Sequence, residues 1–118
     1  MMKKYNIYDL VGKYCMTLED GQTVYQLIHP ELKAERPVEV DFAGVDIFAS
    51  PFFNFAIGQL LGDIKPETLN RLLKVSNLNP VGKQVLKTVI ENSKRYYSLD
   101  EPTRQAVDKV ISEQANSL

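Results

Sequence analysis

The sequence is poor in the groups on which small proteins usually build chemistry. Its 118 residues hold one cysteine, Cys15, and one histidine, His29. A lone cysteine excludes an internal disulfide and suits a reducing cytosol. One cysteine and one histidine are too few for a zinc site, and His29 has no neighbouring cysteine or serine in sequence with which to form a nucleophile pair. It reads as a surface histidine at a helix end. The six glycines, Gly12, Gly21, Gly44, Gly58, Gly62 and Gly82, are scattered, so no phosphate cradle is present. No apolar run approaches about 20 residues, and no hydrophobic segment follows Lys3 and Lys4, which argues against a membrane span and a signal peptide. Fourteen Lys and Arg nearly balance fifteen Asp and Glu. A net charge of −1 leaves no electrostatic footprint for duplex nucleic acid or an anionic membrane. The expectation is a soluble cytoplasmic protein without metal or cofactor.

What is present is a core. Apolar residues make up 44% of the chain, enough for a single domain over residues 1–118. The chain is organised around VEVDFAGVDIFASPFFNFAIGQLLGD, Val38 to Asp63. Val38, Val40 and Phe42 alternate with Glu39 and Asp41, the period of a strand. A turn from Ala43 to Ala49 follows. Ser50-Pro51 then opens a helix, with Ser50 as N-cap and Pro51 at the first helical position. From Phe52 to Leu61 apolar residues crowd nearly the whole circumference, as in a buried helix. Phe52, Phe53 and Phe55 point in different directions, so two belong to the core and one reaches the surface. Gly58 inside this helix predicts close packing against another element, and Gly62 a left-handed terminator.

Elsewhere, Tyr5 to Val11 reads as an edge strand punctuated by Gly12, which Tyr14 to Met16 extends or pairs with. Thr17 with Asp20 imitates a capping box, and Val24, Leu27, Ile28 and Leu32 predict a helix entered near Leu18 and ending near His29 to Lys33, with His29-Pro30 as a stop or kink. After Pro66 a short helical turn leads into a strand, Leu72–Val75, which should lie parallel to the central strand after a right-handed crossover. Asn79-Pro80 opens a further helix with Val81, Val85, Leu86, Val89 and Ile90 along one stripe. Lys94-Arg95-Tyr96-Tyr97 at its end reads as dipole compensation rather than a single-stranded nucleic-acid platform. Asp100 caps a last helix, Glu101 to about Ala115, with Ala106, Val107, Val110 and Ile111 on one face. The order predicts an α/β fold: a small mixed or parallel sheet of about four strands, with helices packed on it.

The segment DFAGVDIFASPFFNFAIGQLL resembles STAS-like domains, as do the preceding helix from Gly21 and the later strand leading to SNLNP. The resemblance spans roughly Thr17 to Tyr97. It implies a bacterial protein of a family without assigned biochemistry, similar to the STAS domains of anti-sigma-factor antagonists. In those antagonists an Asp-Ser-Ser-Gly segment at the helix start carries a serine that a partner kinase phosphorylates. Here Ser50 falls on that serine, while Ala49, Pro51 and Phe52 replace its three neighbours.

Two functional expectations of different class follow. The first is a non-enzymatic regulatory or protein-interaction domain that presents Asp46, Phe48, Ser50, Phe52 and Phe53 to a partner. By analogy with the antagonists, that partner is a histidine-kinase-like ATPase or serine kinase, with Ser50 as either phosphoacceptor or simple cap. The second is a small nucleotide- or metal-binding enzyme that uses Asp41 and Asp46 at the strand end. A self-associating module, visible as a dimer, is a third.

Overall fold

A computed structural model describes residues 2–98. A three-stranded parallel sheet runs in the order β1 (Lys3–Asn6), β3 (Val38–Asp41), β5 (Leu73–Ser76), and β2 (Tyr14–Cys15) pairs parallel with β4 (Ile47–Phe48) in a second, two-stranded sheet. The helices are α1 (Ile7–Val11), α2 (Leu18–Lys33), α3 (Ser50–Ala56), α4 (Pro66–Leu72) and α5 (Pro80–Tyr97), with a 3-10 turn at Gly58–Gly62. The central strand of the sequence is central in space, between two parallel neighbours, as an α/β chain with long crossovers requires. The expected last helix lies outside the described residues.

Alternation along the strands gives the sheet one apolar and one polar face. Val38 and Val40 are fully buried, and their register partners Leu73, Tyr5 and Val75 are partly buried against the same core. Lys4, Glu39 and Lys74 form a row on the other face, which remains polar. On the apolar side lies an aromatic cluster: Phe53 stacks on Phe48 at 5.5 Å and packs edgewise with Phe52 at 5.4 Å, and Phe42 joins both Phe48 and Phe53 within 5.8 Å. Such pairs add to the burial of the rings themselves. Cys15 is also in this core. Burial, reinforced by the nearby Asp20 carboxylate, pushes its thiol up to about 12, so it stays protonated and inert.

Several local expectations give way to longer-range contacts. Tyr5–Val11 is not one strand: β1 ends at Asn6 and Ile7 begins a short helix whose N-cap, Asn6, is extended. Tyr14–Cys15 pairs with β4 rather than with β1, so the expected 43–49 turn contains a strand. Helix α2 ends at Lys33, within the expected range of His29 to Lys33, but His29-Pro30 is not its stop, since Pro30 lies inside the helix. Pro30 and Gln26 are both exposed, so water can take the carbonyl that the proline leaves without a donor. The Phe52–Leu61 helix is broken at Ile57 (φ −126°, ψ −45°), and the following 3-10 turn lets Ile57, Leu60 and Leu61 all be buried. Gly62 lies inside that turn and is not among the glycines of positive φ; the Tyr97 ring closes on it instead.

Thr17 and Asn79 behave as read: each accepts a backbone N–H, from Asp20 at 3.1 Å and from Gly82 at 2.7 Å. Gly58 is the close approach expected, since a Cβ there would sit 2.6 Å from Ser93 Oγ and 3.2 Å from Val89 of α5. A tighter crossing lies at Gly21. A Cβ at that position would collide with the Phe52 carbonyl oxygen and stand 3.0 Å from Phe55 Cβ and 3.1 Å from the Ala56 nitrogen. Two of these are main-chain atoms of α3, which cannot swing away. Gly21→Ala should therefore lower stability by about 2 kcal/mol in urea unfolding, although alanine is the better helix former by about 1 kcal/mol.

Candidate functional site

The candidate site is the segment from the end of β3 to the start of α3, residues 41–53. It is held from three sides. Phe42 N–H donates to Ser76 O at 2.9 Å, continuing the pairing of β3 with β5. Gly44 takes φ +88°, a conformation natural to glycine, and the Tyr8 ring lies over it, 3.2 Å from where a Cβ would be. Asp46 N–H donates to Lys13 O at 3.0 Å and Ala49 N–H to Cys15 O at 2.9 Å, which anchors both ends of β4 to the segment before α2. Asn79 Nδ2 donates to Asp46 O at 3.3 Å, and Phe48 reaches the first turn of α5 beside Gly82.

Asp41 is the electrostatic keystone of this loop. Its Oδ1 accepts from Ala43 N–H at 2.9 Å and from Asn77 Nδ2 at 2.8 Å, and its Oδ2 faces Lys4 Nζ at 3.2 Å. Asn77 holds its side chain there from a left-handed backbone (φ +57°), a conformation that asparagine tolerates better than most residues. The Asn77 amide first, then the Ala43 amide and Lys4, outweigh the cost of desolvation and hold the Asp41 carboxyl below its ordinary value of 3.8. Both oxygens are committed to donors on β1, on the residue that follows β5 and on the loop itself. Asp46 is in a different situation: it is exposed, and among the described residues its carboxylate meets only Lys13 Nζ, at 3.7 Å. Among the described residues, no three His, Cys, Asp or Glu side chains are grouped as a metal site requires.

The aromatic candidates fall inside. Phe52 and Phe53 are 0% exposed and Phe48 is 8% exposed, because the two-residue β4 and the first turn of α3 direct them into the cluster around Phe42. They cannot be presented to a partner without unfolding. Phe55 is the one of the three α3 rings that reaches the surface, and Ser50 is exposed as well. In α3, Ser50, Pro51, Asn54 and Phe55 are exposed. In β4, Ile47 is exposed, and its register partner Tyr14 is exposed beside it. Met16 and Leu18 continue that apolar surface toward the start of α2, where Gly21 brings α2 against Phe55. Only the pairing of β2 with β4 assembles this surface, and two-residue strands leave no periodic signal.

Ser50 is the first residue of α3 and not its N-cap. Ala49 is the cap, extended at φ −133°, and supplies no side-chain hydrogen bond. The Ala49–Cys15 bond fixes that extended geometry and shifts the helix start by one residue. The Ser50 hydroxyl is exposed and takes no part in capping.

His29 is not a free surface side chain. It stacks on Tyr25 (4.8 Å, 22°) and donates through Nε2 to Asp63 Oδ2 at 2.9 Å, while Lys33 Nζ donates to Asp63 O at 3.1 Å. Burial alone would raise the Asp63 carboxyl, but His29 and Lys33 outweigh it and the net shift is downward. The Tyr25 hydroxyl moves up, mainly through burial. This cluster joins α2 to the segment after the 3-10 turn. Tyr96 and Tyr97 stack on each other at 4.8 Å, with Tyr97 against Gly62.

The chain belongs to the family described as a STAS-like domain of unknown function, which it matches over residues 20–83, more than half its length. That match runs from the first turn of α2 to the first turn of α5 and so includes the whole 41–53 segment. The parallel sheets with packed helices agree with that membership. No curated protein and no solved structure matches the chain. Among the described residues, no helix is long and apolar enough to cross a membrane.

Two predictions follow from the caps and the carboxylate. Ser50→Ala should leave stability within about 0.5 kcal/mol of wild type, whereas Asn79→Ala should cost about 1 kcal/mol in the same urea titration, because only Asn79 satisfies an orphan amide. For Asp41 the folded value is depressed, so its stabilisation is complete above the unfolded value and fades as pH falls through the folded one. Asn77→Gly keeps the left-handed backbone and removes the largest cause of the shift. The stability gap between wild type and Asn77→Gly should be widest near neutral pH and narrow as the pH falls below the ordinary carboxyl value of 3.8, as read from urea midpoints.

Proposed function

We propose that this domain is a regulatory protein-interaction module, not an enzyme, and that it binds its partner through the outer surface of β2, β4 and α3. The observation that carries this reading is a set of exposed apolar residues on the elements that lead into and form α3, where the Ser50 hydroxyl is exposed and takes no part in capping: Tyr14 and Ile47 side by side, Met16 and Leu18 next in the chain, and Phe55 on α3, all between 39% and 52% exposed. Single exposed apolar residues are ordinary; a run of them across adjoining elements is what interaction sites offer. Family membership favours the same surface, since the antagonist STAS domains that this family resembles carry their phosphoacceptor at the corresponding helix start. A histidine-kinase-like ATPase with serine-kinase activity is the partner class that this likeness suggests. Ser50 is then the point of control, because a phosphate at the exposed start of α3 would carry charge into an interface formed there. The commitment of both Asp41 oxygens to structural donors weighs against acid–base work at the strand end.

Affinity capture from lysate of the native host tests this with wild type, Ser50→Ala, Ser50→Asp and Ile47→Asp as separate baits. A partner retained by the first two and lost by the last two is the expected result, with melting temperatures unchanged because both positions are exposed. Equal recovery by all four baits would remove the surface from consideration.

A further inference from the structure

Strand β2 has an open edge. Lys13 O accepts from Asp46 N–H and Cys15 O from Ala49 N–H, so both carbonyls point toward β4. Main-chain groups alternate from side to side along a strand, which turns the N–H and C=O of Tyr14 and Met16 the other way. Among the described residues β4 is the only strand that pairs with β2, and no hydrogen bond engages those outward groups. Tyr14 and Met16 are 52% and 46% exposed, whereas Cys15 between them is fully buried. Sheet edges are ordinarily guarded by charge, by proline or by a covering element. The edge strand β1 carries Lys3 and Lys4, but Tyr14, Cys15 and Met16 include neither a charge nor a proline.

This edge is complementary to itself. Antiparallel pairing about a twofold axis at Cys15 places Tyr14 opposite the partner's Met16, and Met16 opposite the partner's Tyr14. Those are the residues whose N–H and C=O point outward, so each opposing pair exchanges both of its hydrogen bonds. The side chains match in the same register, since an aromatic ring beside a thioether is a favourable cross-strand pair. Charge agrees: Lys13 is exposed and would be carried toward the first turn of the partner's α2, where this sequence places Glu19 and Asp20. An extended segment of another protein could also add to such an edge, but a second copy brings the matching register with it.

We propose that this chain forms a twofold dimer by pairing β2 antiparallel with β2 of a second copy, which joins the two small sheets into one of order β4-β2-β2-β4. Edge pairing uses main-chain groups in the plane of the sheet, so Tyr14, Met16 and Ile47 stay on its outer face. The dimer therefore widens the surface offered to a protein partner, and it stands or falls independently of that partner.

Sedimentation velocity over a dilution series, with residue-resolved hydrogen exchange by NMR, tests the proposal. Wild type should associate to a dimer as its concentration rises toward millimolar, and the Tyr14 and Met16 amides should slow at least about tenfold over that range. Two double variants test the register, because like charges directly opposite one another repel and unlike charges attract. Tyr14→Lys with Met16→Lys sets lysine against lysine and should weaken the dimer at least about tenfold. Tyr14→Lys with Met16→Glu sets lysine against glutamate and should restore it. Both positions are exposed, so the far-UV circular dichroism of each variant should match wild type. Wild type that stays monomeric at millimolar concentration would overturn the proposal, as would a double-lysine variant that dimerises as well as wild type. A lysine-glutamate variant no more dimeric than the double-lysine one would overturn it too, since another surface would then hold the copies together.

Discussion

The rest of the structure depends on how closely α2 and α3 are allowed to meet. At Gly21 the backbones of the two helices come within the space that one methyl group would fill. That contact fixes where α3 lies, and α3 in turn carries Phe52 and Phe53 into the aromatic cluster beneath the sheet. Side-chain packing elsewhere can relax around a small change in volume. A main-chain carbonyl against a main-chain Cα cannot. One hydrogen atom in place of a side chain thus sets the spacing of the layer on which the candidate surface stands.

From that layer outward the loop 42–49 is held by groups distant in sequence. Tyr8 covers Gly44, Lys13 and Cys15 supply carbonyls, and Asn77 and Asn79 reach in from the segment between β5 and α5. Asp41 joins Lys4 of β1, Ala43 of the loop and Asn77 just past β5 through one carboxylate. An acidic residue at the carboxyl end of a parallel strand invites a catalytic reading, since ligands often bind there. Here the same position is spent on tying β1, β3 and β5 together at their ends, which leaves the exposed side of α3 and β4 as the part of the segment free to meet another molecule.

How much of this was legible in the sequence divides along the range of the interactions. Thr17 and Asn79 were readable as caps because a cap is decided within three residues. The alternation of Val38, Val40 and Phe42 was readable for the same reason, and it placed the middle strand correctly. Ser50 was misread as a cap because the competing bond, Ala49 to Cys15, crosses 34 positions. Phe48, Phe52 and Phe53 were offered to a partner, yet a helix apolar on nearly every side does not say which side is covered. The answer came from β2 and from Gly21, neither of which announces itself. Phe55, the ring that does face outward, differs from its neighbours only in where α2 happens to lie.

The register of the sheet also bears on how the chain acquires its fold. Lys3 pairs with Val38, and Val38 with Leu73, each 35 positions further on. No two strands of the larger sheet are neighbours in sequence, so none can pair through a tight hairpin. During synthesis β1 must wait until a helix and the next strand have emerged, and the sheet is complete only when Ser76 is free. Contacts of such long sequence separation fold slowly, and while they form, the backbone edges of β1 and β3 stand open to other chains. Helix α2, capped by its own flanking residue Thr17 and lying in sequence between β1 and β3, is the part able to take shape early beside those strands.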